Sequence, residues 1–112
     1  MDKSEVVKSV RRYAAALRAK NIEPEEVVLF GSYATGTAHA DSDIDVAVVV
    51  RNFDFDRDYQ RTVALLWRVA GDTCVEIEPL LIDRNRADRS GFIEHILTTG
   101  EVIYDKSLEL RV

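Results

Sequence analysis

The chain has 112 residues, of which 46% are hydrophobic and 31% charged, and a formal net charge of -5; this size and balance set the expectation of one soluble domain over residues 1–112. No apolar run approaches the roughly 18 residues of a membrane span, and the polar start Met1-Asp2-Lys3-Ser4-Glu5 is not the apolar core of a secretory signal, so a cytoplasmic location and no membrane partner are the default expectations. The acidity argues against a chain whose main partner is a nucleic-acid backbone, so no direct nucleic-acid binding is expected, and it suits a site that gathers cations.

From Asp2 to about Lys20, Val6, Val7, Val10, Tyr13, Ala14 and Leu17 recur at three- and four-residue steps, predicting an amphipathic helix with Asp2 and Glu5 as a capping pair. Pro24-Glu25-Glu26 breaks the pattern before Val27-Val28-Leu29-Phe30, a β-branched run that reads as a buried strand ending at Gly31. Ser32 to Ser42 is rich in Gly, Ala, Ser and Thr and reads as a helical turn followed by a loop. Ile44 to Val50 is continuously apolar and marks a central strand, with Asp43 at its entrance and Asp45 inside it.

After a polar link, Tyr59, Val63, Leu66 and Ala70 fall on one helical face, with Gly71 expected just beyond the helix end. Cys74 to Ile82 reads as a third strand, Arg84 to Arg89 as a basic loop, and Phe92, Ile93, Ile96 and Leu97 as a helix stopped at Gly100. Val102-Ile103-Tyr104 is a candidate last strand. The order predicts an α/β (α+β) fold, a small mixed sheet flanked by helices, with the pairing direction of the first two strands left open.

The chemistry lies between Gly31 and Asp45. Gly31 permits close backbone approach where the strand ends, and the amides that follow, with the Ser32 hydroxyl, can cradle a phosphate. Residues two apart in a strand share a face at roughly 6.5 to 7 Å, so Asp43 and Asp45 converge and repel each other unless a cation or proton intervenes. Magnesium, which takes oxygen ligands and also binds phosphates, satisfies both. Phosphoryl and nucleotidyl transfer commonly adds a third carboxylate, for which Glu76 and Glu78 are the candidates, Glu76 preferred. A calcium loop beginning at Asp41 fails because Val46 stands where glycine is needed, and a Gly-Lys-Ser/Thr phosphate loop fails because Gly36 is followed by Thr37.

Gly31-Ser32, ten intervening residues, then Asp43-x-Asp45 on a strand resembles the signature of the DNA polymerase beta-like nucleotidyltransferases, and the short chain resembles their minimal (MNT) branch. The resemblance implies a nucleotidyltransferase-type fold and transfer of a nucleoside monophosphate from ATP or another triphosphate, with magnesium. It implies phosphate binding by Gly31 and Ser32, metal binding by Asp43 and Asp45, and a third acid at Glu76, with Glu78 the alternative, that aids deprotonation of the acceptor. Tyr33, Ala34 and Thr35 depart from it by lacking the basic residue that many members carry there, and the third acid is commonly Asp. The resemblance further implies an antitoxin that transfers AMP to a tyrosine of a HEPN-domain ribonuclease toxin. The rival expectations are an antitoxin that acts by binding alone, or transfer to a small molecule.

The remaining polar and aromatic residues have plainer readings. Cys74 is expected to be a small buried hydrophobe, His39 and His95 to be solvated, Arg84, Arg86 and Arg89 to form a solvated basic face, and Trp67 and Phe92 to be core or interface residues.

Overall fold

In the computed structural model, which describes residues 1–39, 41–85 and 91–109, the Asp2 carboxylate accepts a hydrogen bond from the Glu5 amide at 2.8 Å. That cap opens helix α1, Lys3–Ala19, whose buried face is Val6, Val10, Tyr13, Ala14 and Leu17. Strand β1, Glu26–Phe30, leads into a single helical turn, α2, Ser32–Thr35, and strand β2 follows at Ile44–Val50. Helix α3, Phe55–Thr73, is capped by Asp54, which accepts from the Arg57 amide. Strand β3, Ile77–Asp83, helix α4, Phe92–Thr99, strand β4, Glu101–Asp105, and the short α5, Lys106–Glu109, complete the elements among the described residues.

The four strands lie in the order β3-β2-β1-β4, with β1 antiparallel to β2 and β4 and with β2 parallel to β3. The sheet is mixed, as expected, and the open question of the first two strands resolves to antiparallel. The unbroken apolar run of β2 has a physical reason: both of its faces are buried. Ile44, Val46 and Val48 join Val27, Leu29 and Ile77 under α1 and α3. Ala47 and Val49 join Val28 and Ile82 under Ile96 of α4, on the other face. Tyr13 ties α1 to α3 by donating its hydroxyl to the Leu66 carbonyl at 2.9 Å.

Two expected boundaries shift. Gly71 does not end α3; the helix runs on to Thr73, where the Cys74 amide donates to the Ala70 carbonyl at 2.8 Å and the Thr73 hydroxyl to the Val69 carbonyl. The third strand therefore starts at Ile77 rather than Cys74, because residues 74 to 76 form the turn that leaves the helix, closed by the Ile77 amide on the Cys74 carbonyl at 3.0 Å. At the opposite end of the sheet from Gly31, Arg84 is held by Glu25 at 2.7 Å and by Glu26, so it is an internal ion-pair partner, not a free basic face. Arg86 and Arg89 lie outside the described residues. Trp67 and Phe92 are about half exposed, so neither is a core residue.

The two glycines near helix ends predict opposite responses to alanine. A Cβ at Gly100 would lie 2.5 Å from Val28 Cγ1 and 2.6 Å from the Ile96 carbonyl oxygen, whereas one at Gly71 meets nothing within 4 Å. In urea denaturation, Gly100→Ala should lose about 1–3 kcal/mol through overpacking, and Gly71→Ala should gain about 0.5–1 kcal/mol through helix propensity. Equal effects of the two substitutions would contradict the packing described.

Candidate functional site

Two strand registers build the site. In the β1–β2 pair Phe30 faces Asp45, so Gly31, the next residue, passes directly beside the Asp45 side chain. The approach is close enough that a Cβ at Gly31 would stand 2.2 Å from Asp45 Oδ2. Gly31 also has φ of 73°, which a side chain would strain. Only glycine lets the chain turn here and leaves room for the carboxylate. The turn α2 follows at once, anchored by the Ala34 and Thr35 amides on the Gly31 carbonyl, and it carries Ser32 at its start. Tyr33 points inward and is buried, donating to the His39 carbonyl.

In the β2–β3 pair Asp45 faces Glu78. Directly paired residues project to the same face, and here it is the face of Ala47, Val49 and Ile82, the one under α4. Asp43 lies two residues before Asp45 and adds its charge to the same place. The electrostatics agree with the geometry. Burial, and then the Asp43 charge, hold the Asp45 carboxyl above the usual range. The Asp43 charge first, then burial, hydrogen bonding with Asp43 and the Asp45 charge raise Glu78. Asp45 and Glu78 thus strain against ionisation in one place, both beside the Asp43 charge.

Glu76, the preferred third acid from sequence, is placed elsewhere. The turn that ends α3 breaks the period-two alternation, and the Glu76 side chain accepts from Cys74 Sγ at 3.2 Å. That contact, with no contribution from Asp43 or Asp45, lowers its carboxyl. Its backbone carbonyl instead receives the Ile44 amide at 2.9 Å. The acid that the structure brings to Asp43 and Asp45 is Glu78, the alternative. Cys74 is buried as expected, with its thiol pushed up chiefly by burial. His39 and His95 are exposed, the former with Nδ1 accepting from the Asp41 amide at 3.3 Å.

The donor set suits magnesium: carboxylate oxygens that lack countercharge from one another and sit beside a loop of backbone amides and a serine hydroxyl. Among the described residues no group of three carboxylate, imidazole or thiol side chains lies close enough together to hold a metal ion. Magnesium uses few protein ligands and fills its sphere from water and phosphate oxygens, so an open arrangement of acids remains compatible with it.

Residues 14–109 match the family described as "Polymerase beta, Nucleotidyltransferase". The chain belongs to this family. It is accordingly a nucleotidyltransferase. A relative from Methanocaldococcus jannaschii, provisionally named a protein adenylyltransferase, is 31% identical over 99 residues, spanning 87% of this chain and 96% of that protein. Among solved structures, a provisionally named nucleotidyltransferase from Sulfolobus solfataricus matches with a TM-score of 0.66 at 19% identity, over 94% of this chain and 85% of that one. A crystal structure described as a toxin-antitoxin with AMP-PNP matches with a TM-score of 0.56 at 24% identity, over 97% of this chain and 77% of that one. Both structures establish the fold that the nucleotidyltransferase shares. Among its described residues no helix is long and apolar enough to cross a membrane.

The raised Asp45 carboxyl makes a stability prediction. A carboxyl whose folded pKa lies above its unfolded value favours folding at acid pH, and that contribution is lost as pH rises through the folded pKa. In metal-free buffer at pH 7, Asp45→Asn should therefore melt a few degrees above wild type, with the gap closing as pH falls toward 4. Thermal melts with a chelator check this, and a variant that melts lower at pH 7 would contradict it.

Proposed function

We propose that the chain transfers AMP from ATP, with magnesium, to a protein hydroxyl, and that the acceptor is a tyrosine of a HEPN ribonuclease toxin that it thereby silences. The observation that carries the reading is that Asp45 lies against Gly31 and is paired with Glu78, which hydrogen-bonds with Asp43. The adenylyltransferase name of the archaeal relative supports a protein acceptor. The toxin-antitoxin structure with AMP-PNP supports an adenine triphosphate and an antitoxin role.

In this reading Ser32 and the amides of the turn bind the triphosphate, and Asp43 and Asp45 hold the metal. When bound, magnesium neutralises the phosphates and polarises the alpha phosphoryl group. The acceptor oxygen bonds to the alpha phosphorus as the bond to the beta-phosphate oxygen breaks, pyrophosphate leaves, and the hydroxyl proton passes to Glu78. Glu78 has this role in place of Glu76 in our reading because Glu78, and not Glu76, is paired with Asp45. The rest of the catalysis is positioning and charge neutralisation.

Incubation with alpha-labelled ATP, magnesium and the neighbouring toxin tests the proposal. Label should move to the toxin with wild type and fall at least about a hundredfold in Asp43→Asn/Asp45→Asn and in Glu78→Gln, while Glu76→Gln stays within about threefold of wild type. Full neutralisation of the toxin by the double variant, without label transfer, would instead establish an antitoxin that acts by binding.

A further inference from the structure

A cavity of about 470 Å³ opens between α2 and the start of α1. Ser32, Thr35 and Gly36 form one wall, and Asp2 and Lys3 form the other. Among the described residues, Lys3 is the only lysine or arginine that lines it. The turn from Gly31 to Thr37 contains no basic residue, so a triphosphate seated on Ser32 meets three carboxylates on one side and no fixed positive charge within the turn itself.

We propose that Lys3 is the residue that binds the terminal phosphates of the nucleotide, reaching across this cavity from the first turn of α1; this rests on the nucleotidyl-transfer reading above. Its ammonium is parked at the correct end of the sheet. Lys3 Nζ sits 2.8 Å from Glu101 Oε2, and Glu101 is paired with Leu29, two residues before Gly31. Both side chains of that ion pair are about half exposed, and such pairs are weak, so a polyphosphate can displace the carboxylate. A lysine on a flexible stem is a good point charge for phosphate oxygens. Asp2 accepts from the Glu5 amide through Oδ1, and the ion pair that Lys3 makes is with Glu101. Ser32 is shared by the cavity and the catalytic turn, so the alpha phosphate can face the acids while the leaving pyrophosphate extends toward Lys3.

The inference predicts phosphate-number dependence, which a structural role for Lys3 would not produce. By titration calorimetry in magnesium, Lys3→Gln should weaken ATP binding about five- to tenfold, leave AMP binding within about twofold, and be rescued by Lys3→Arg. Glu101→Gln, which frees the ammonium, should bind ATP as tightly as wild type or more tightly. Unchanged ATP affinity in Lys3→Gln, equal weakening toward ATP and AMP, or a loss in Glu101→Gln as large as in Lys3→Gln would each overturn the assignment. Failure of the wild-type protein itself to bind ATP would overturn the nucleotidyl-transfer reading, so the wild-type arm separates the two failures.

Discussion

The contact on which the rest depends is between the Asp45 carboxylate and the bare backbone of Gly31. A half-buried acid inside a central strand is costly, since burial and the neighbouring Asp43 both disfavour its charge. The fold tolerates it because the strand beside it ends in a glycine and turns away. Everything else in the site follows from that turn: the direction of α2, the place of Ser32, and the open end of the sheet face that carries Ala47, Val49 and Ile82. The two faces of the sheet are unequally covered. Two long helices seal one face, and the eight-residue α4 covers the other, which is the face on which the acids project.

Such an arrangement places function and stability in opposition. Burial and the Asp43 charge hold the Asp45 carboxyl up, and the Asp43 charge, burial and the Asp45 charge hold Glu78 up, so the folded chain holds an electrostatic strain that a bound cation would relieve. Sites that concentrate like charge commonly behave this way. The stabilising contacts lie elsewhere: the apolar layers on either face, the Tyr13 bond between α1 and α3, and the ion pairs of Glu25 and Glu26 with Arg51 and Arg84 at the opposite end of the sheet.

The parts legible in the sequence were those set by local pattern. The β-branched run of β2, the helical spacing of α1, and the Gly31-Ser32 to Asp45 segment depend on nearest neighbours and on burial on both faces. What escaped depended on tertiary capping. Gly71 looked like a helix end, yet α3 continues until the Cys74 amide finds the Ala70 carbonyl. That extension delays β3 by three residues and takes Glu76 out of the alternation on which its assignment relied, leaving Glu78 opposite Asp45. The approach of Lys3 to Glu101 was likewise invisible, because it joins the two ends of the chain across the folded sheet.

The central proposal is that Asp43 and Asp45 hold a metal beside the serine turn, with Glu78 facing them as the proton acceptor. Crystals grown with manganese and a non-hydrolysable ATP analogue, measured for anomalous scattering, test it most directly. The account predicts an anomalous peak bridging Asp43 and Asp45, with Glu78 facing it and the triphosphate lying on Ser32. A peak held by Glu76, or a triphosphate bound away from Ser32 with no metal at Asp43 and Asp45, would contradict it.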